Sequence, residues 1–204
     1  EFVASEGGTS VDFSGTFEQG QAIGSYAMYP ACEDHIADGD YMFFNIPEEL
    51  TWRADESFMP MLGKINGGAT TFKAVGGVLK LIVYNIPATA EYLQFDAQGQ
   101  QISGIFEIED ASVATPVIET KSTEGSDDLI TIDFSADYSE NKVFYIPLPV
   151  GTISGFTVSF LDGAGDPIPG ASKTTNATLG VTRNKIIIAP ALKMRSISED
   201  ASLT

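Results

Sequence analysis

Period-two alternation of apolar and polar residues runs through most of this chain, and no other feature restricts its fold so tightly. Successive side chains of a strand point to opposite faces, whereas a helix repeats every 3.6 residues. VDFSGTF (11–17) puts Val11, Phe13 and Phe17 on one face, and SYAMYP (25–30), YMFFNI (41–46), TTFKAV (70–75) and GVLKLIVY (77–84) follow. EYLQFDA (91–97), ISGIFEIED (102–110), LITIDF (129–134), KVFYIPL (142–148), FTVSFLD (156–162) and NKIIIA (184–189) continue the series. Turn residues punctuate it: DG at 38–39, AQGQ at 97–100, EGSDD at 124–128 and DGAGDP at 162–167. These supply positive φ or side-chain-capped turns. No long stretch keeps an amphipathic helical pattern, and 20 Gly with 10 Pro would interrupt most candidates. The expectation is an all-β chain of sandwiches, because a parallel α/β sheet would need helical crossovers.

Domain organisation follows from where the alternation lapses. LGKINGGAT (62–70) is small, polar and glycine-rich, which places a first domain at 1–66 and a second at 67–192. The first is too short for a complete sandwich of about 100 residues, so it borrows strands from its neighbour or lacks a part upstream. The stretch 193–204, KMRSISEDASLT, lacks clean alternation and reads as a tail. Pro147 and Pro149 have no N–H, so their strand lies at an edge or leaves the sheet there. Gly76-Gly77 points to a bulge or a close backbone approach. The expected core of the second domain is Phe72, Val78, Leu79, Leu81, Val83, Phe144, Ile146, Phe156, Val158 and Ile187.

Charge narrows the partners. Across 204 residues, 28 Asp+Glu oppose 11 Lys+Arg, a formal charge of −17. The bases are scattered singly, which disfavours a phosphate backbone and an anionic membrane surface. With 43 % hydrophobic residues the acidity reads as a solvated surface rather than disorder. It is uneven: residues 91–140 hold twelve Asp/Glu and only Lys121. No membrane span or signal peptide is expected, since the most apolar stretch, VGGVLKLIVYNI (75–86), is short and contains Lys80. Glu1 is not an initiator methionine, so the chain is expected to be a processed or trimmed piece.

Motifs for chemistry are sparse. One Cys and one His cannot make a disulfide or a structural zinc site. Cys32 reads as a small buried apolar residue, with a reactive thiol or lipid attachment point as the alternative. His35, in CEDHIADGD, has no evident Ser or Cys to activate, and there is no G-x-S-x-G elbow, P-loop or dinucleotide fingerprint. Asp34/Asp38/Asp40, Asp127/Asp128 and Asp162/Asp166 are the nearest calcium candidates, yet none fits an EF-hand loop and all suit turns. Paired carboxylates for glycoside hydrolysis are trivially available and carry no specificity. No catalytic residue, cofactor or metal is expected. Trp52, between Leu50 and Met59, suits core or interface packing, with sugar stacking as the alternative. Asn176-Ala-Thr178 matches a glycosylation sequon.

From Tyr26 onward an ordered series of short motifs resembles the fimbrillin (Mfa-like) family of Bacteroidetes, the subunits of type V pili, over residues 11–192. Ser25-Tyr-Ala-Met-Tyr-Pro30 is similar to the family's Tyr-x-x-Tyr-Pro segment, and Phe58-Met-Pro-Met61 to the step before its second domain. Phe72-Lys73 followed by Gly77-Val-Leu-Lys-Leu81 resembles its Phe-Lys-x-x-x-Gly-x-Leu-Lys strand, and Ile102-Ser-Gly104 its Leu-Ser/Ala-Gly element. Phe144-Tyr-Ile-Pro-Leu-Pro149 is similar to its aromatic-Tyr-Ile-Pro-Leu-Pro strand, and Arg183-Asn-Lys-Ile186 to its closing strand.

The resemblance implies two transthyretin-like (Greek-key) β-sandwich domains, the first incomplete in this chain. It implies export through the periplasm as a lipoprotein and display on the outer membrane surface in a fimbrium. Assembly in that family proceeds by strand exchange after removal of an N-terminal strand; the segment with lipobox cysteine, first strand and protease site is not seen here. The leading expectation is a non-enzymatic pilus or adhesin subunit that polymerises with other pilus subunits by β-strand complementation. Ile197 and Leu203 in the tail are the candidate donor residues. The alternative is a carbohydrate- or host-ligand-binding surface module using Trp52 or exposed Tyr; a calcium-dependent β-sandwich hydrolase ranks third.

Overall fold

The computed structural model describes residues 3–4, 13–14, 25–30, 36–38, 41–54, 58–65, 70–109, 117–120 and 128–194. No helix occurs among them. The strands in chain order are β1 (Val3–Ala4), β2 (Phe13–Ser14), β3 (Tyr26–Tyr29), β4 (Ile36–Asp38), β5 (Tyr41–Ile46) and β6 (Glu49–Thr51). Then come β7 (Met61–Lys64), β8 (Lys73–Ala74), β9 (Gly77–Tyr84), β10 (Tyr92–Asp96), β11 (Gly104–Glu109) and β12 (Val117–Thr120). The series closes with β13 (Leu129–Asp133), β14 (Lys142–Leu148), β15 (Gly151–Leu161), β16 (Pro167–Val181), β17 (Ile186–Ile188) and β18 (Leu192–Lys193).

Two sheets carry the main core. One runs β16-β15-β10-β13-β6; the other runs β14-β9-β17, with β18 also pairing β9. Alternation explains their facing surfaces: Leu79, Leu81 and Val83 of β9 and Phe144, Ile146 and Leu148 of β14 are buried. Leu93, Phe95, Ile130, Ile132, Val158 and Phe160 are buried on the five-stranded sheet. The layers meet at an aromatic trio. Phe144 lies edge-on to Phe134 at 5.5 Å between centroids and 6.2 Å from Phe160, with Phe134 and Phe160 5.9 Å apart. Each fully buried phenylalanine stabilises the fold by about 1.5–3 kcal/mol. The arrangement is all-β, in several sheets, and compatible with a β-sandwich.

Segments from the first third are stitched into later ones. β5 pairs antiparallel with β11, placing Phe44 opposite Phe106, whose rings stack at 5.3 Å. β6 pairs parallel with β13. Residues 41–51 thus hydrogen-bond across the position near residue 66 where a domain boundary is expected. The small sheet β3-β7-β8 also spans that position, and β7 (Met61–Lys64) overlaps the start of the stretch read as a boundary, 62–70.

Sequence and structure agree on β5, β9 and β14 to the residue. Val78 differs from expectation: it and Leu79 are consecutive, and only Leu79 faces the core. Val78 and Ile187 are half-buried at the margin of the cluster, as is Phe72 outside it. Gly76 is the close approach foreseen, since a Cβ there would sit 2.1 Å from the Leu148 carbonyl oxygen. The principal strand without a forecast is β16, whose side chains face mostly solvent and whose pairing to β15 depends on the backbone. Lys193 and Met194, at the head of the expected tail, are folded: Met194 is buried and its N–H donates to the Tyr84 carbonyl at 2.9 Å.

Candidate functional site: strand edges and the Trp52 clasp

Strand ends and edges are where this fold leaves groups for interaction. The backbone hydrogen bonds decide which edges are open. Along β17, Val78 N–H donates to the Lys185 carbonyl at 3.0 Å and Ala189 N–H donates to the Lys80 carbonyl at 3.1 Å. The register pairs Ile187 with Leu79. Lys185, Ile187 and Ala189 therefore turn their backbone groups toward β9, and Ile186 and Ile188 turn theirs away. Their side chains are 62 % and 69 % exposed, beyond any other large apolar residue among those described.

The outer face of this sheet is formed by Val78, Lys80, Ile82 and Tyr84 of β9, the β14 residues Pro147, Tyr145 and Val143 opposite the first three, Ile186 and Ile188 of β17, and Lys193 of β18. None of these residues is a carboxylate. Lys80 lies 5.5 Å from the Tyr145 ring centroid, a cation–π contact. The outer face of the five-stranded sheet is the reverse in character. Thr157 and Thr174 hydroxyls lie 2.9 Å apart, as do those of Ser159 and Ser172, and Gln94 and Asp96 are their neighbours on β10.

Among the described residues no strand pairs with the second edge of β14, which is partly occupied by a side chain. Trp52 Nε1–H donates to the Val143 carbonyl at 2.8 Å, just past the end of β6. Tyr145 and Pro147 follow at two-residue intervals on the same edge, and Pro147 has no N–H to offer. Trp52 also receives the Lys142 ammonium 3.3 Å from its ring centroid, and the lysine side chain is buried. Burial lowers the Lys142 pKa, and Asp137, whose Oδ2 is 3.9 Å away and exposed, partly opposes that. The indole is thus a clasp that ties the end of β6, itself paired through its backbone with β13, to β14, with Lys142 over one of its ring faces. A shallow cavity of about 30 Å³ lies beside it, lined by Leu50, Trp52, Phe58 and Tyr145 among others. A second, of about 80 Å³, lies between Gln100, Phe106 and the Pro149–Ile153 turn.

Among the described residues no group of three or more His, Cys, Asp or Glu could hold a metal. Asp162 instead caps its turn, its Oδ1 accepting from the N–H groups of Ala164 (2.9 Å) and Asp166 (3.0 Å). Asp128 accepts from the Gly99 N–H. Cys32, Asp34, His35, Asp40, Asp127, Ile197 and Leu203 lie outside the described residues, and of Asp38 only the backbone is described. Asn176, Ala177 and Thr178 are exposed on β16. The structure singles out Ile186 and Ile188, which alternation assigned to an ordinary strand. The signal was present: three isoleucines without alternation, flanked by Lys185 and Pro190. No helix among the described residues is long and apolar enough to cross a membrane. No protein-family model matches this chain, and no curated protein matches it.

Proposed function

We propose that the chain is a structural subunit of a bacterial surface pilus or a fimbrillin-like adhesin, assembling with other subunits by β-strand complementation. The observation that carries this reading is how β9 is closed on the side away from β14. Among the described residues only Ile186–Ile188 and Leu192–Lys193 cover it, as two short parallel pieces separated by Ala189-Pro190-Ala191. An edge closed so briefly is one that a longer incoming strand can take over, gaining main-chain hydrogen bonds along the full length of β9. The motifs that carry the resemblance border this edge: Gly77–Leu81 opens β9, Phe144–Leu148 lies in β14 beside it, and Arg183–Ile186 leads into β17. On this reading the molecule comprises two transthyretin-like sandwich domains, a partial one at 1–66 and a second at 67–192. It is exported as a lipoprotein and displayed on the outer membrane. The donor is the stretch 193–204, with Ile197 and Leu203 as its plugs.

Light scattering and thermal melts with and without a synthetic peptide of residues 193–204 test it. Peptide-dependent stabilisation or polymer formation is expected. A monomer indifferent to the peptide would overturn the tail as donor.

A further inference from the structure

We infer that β17 is a self-complementary docking edge at which two copies of this chain pair antiparallel about Ile187, joining their β14-β9-β17 sheets into one. The inference is independent of strand exchange through the tail, because it requires β17 to stay in place on β9.

Three observations converge on it. Ile186 and Ile188 turn their N–H and C=O groups away from β9, and among the described residues none bonds them there. The same two residues are the most exposed large apolar side chains described, at 62 % and 69 %. An open edge with exposed isoleucines is the combination that edge strands ordinarily avoid. Finally, the described residues of the sheet face continuing from these two include no carboxylate, so two copies, each carrying −17, would meet there without apposing acidic side chains of that face.

The triplet also fits itself. With Ile187 on a two-fold axis, Ile186 lies opposite Ile188 of the second copy on each side of the axis. Both members of such a pair have outward backbone groups, so each pair exchanges both N–H···O bonds, while Ile187 meets its equivalent in a non-hydrogen-bonded pair. Lys185 falls opposite Ala189 of the other copy, so no like charges are apposed. Pro190, without an N–H, ends the ladder there. A foreign strand could use the same backbone groups, but a second copy places isoleucine against isoleucine at both positions by symmetry alone, with no further sequence requirement. The short ladder makes a reversible dimer, not an obligate one.

Sedimentation equilibrium from micromolar to millimolar protein measures it directly. The parent chain is expected to dimerise. Ile188→Lys, at an exposed position, is expected to keep its melting temperature while weakening the dimer by about tenfold or more. Register is read by cross-linking in a Cys32→Ser background. An equimolar mixture of Ile186→Cys and Ile188→Cys chains should form disulfide dimers about tenfold faster than either variant alone. Cα atoms of a hydrogen-bonded pair lie about 5.5 Å apart, within disulfide reach. A parent chain monomeric at millimolar concentration, an Ile188→Lys chain that dimerises as the parent does, or cross-linking equally fast in either single variant would each overturn the inference.

Discussion

β16 and β17 are both edge strands, at opposite extremes of exposure management. β16 runs fifteen residues, Pro167–Val181, and its partner β15 slips register at Ser154/Phe156 and at Ser159/Leu161. Its exposed residues are prolines, glycines, Ser172, Thr174, Asn176, Ala177 and Thr178, and its apolar Ile168, Ala171 and Val181 are buried. Proline, bulges and polar side chains are the devices that stop a long edge from recruiting another strand. β17 has three residues, all isoleucine, two of them exposed, with proline only beyond its end. A long edge is defended by its composition; a short one is left open and apolar. The difference locates interaction at β17 rather than at the larger surface.

The comparison can be broken at its foundation first. Both edges depend on the packed layers behind them, so Phe144→Ala, which removes the ring between Phe134 and Phe160, is expected to cost about 3–5 kcal/mol by chemical denaturation. Gly76→Ala should cost about 2–4 kcal/mol, because the added Cβ meets the Leu148 carbonyl and the backbone must shift. Trp52→Phe removes the donor to Val143. It is expected to lose about 1–2 kcal/mol and to speed hydrogen exchange in β6 and its β13 partner above the rest of the sheet.

Lys142 sharpens the picture through pH. Its folded pKa lies below the unfolded value of 10.5, chiefly from burial, so the unfolded chain binds more protons in the interval between the two. Its contribution to stability therefore rises as pH climbs through the folded pKa toward 10.5. Lys142→Met should flatten that alkaline rise relative to the parent, and equal slopes in paired melts would remove the assignment. The smallest stability effect tests composition itself. Asn176→Ile with Thr178→Ile, both exposed on β16, is expected to change stability by less than about 0.5 kcal/mol. If composition is what defends that edge, light scattering will nevertheless show new association.

How far the sequence could be read depended on whether a segment's order comes from burial. β5, β9 and β14 each bury one face, so their alternation marked both ends correctly. β16 buries little, and its ladder to β15 leaves no period in the side chains. β6 is three residues held by pairing to β13 and by Trp52, contacts 80 or so residues away in sequence that no local pattern records. Trp52 itself was legible as packing, while its hydrogen bond to Val143 and the ammonium over its ring were not. Ile197 and Leu203, read as donor residues, lie outside the described residues, so the tail reading rests on the brief closure of β9.

The amino-acid sequence by itself determined that the chain is all-β, where most buried strands run and which side chains of β9 and β14 face inward, because burying one face of a pleated strand forces a period of two. Only the tertiary structure decided which strands neighbour one another, that residues 41–51 enter sheets with residues 104–133, and that β17 ends with isoleucines outward. Those outcomes are set by backbone hydrogen bonds between distant segments. Every residue except proline carries the same donor and acceptor, so side-chain order leaves the choice of partner unwritten.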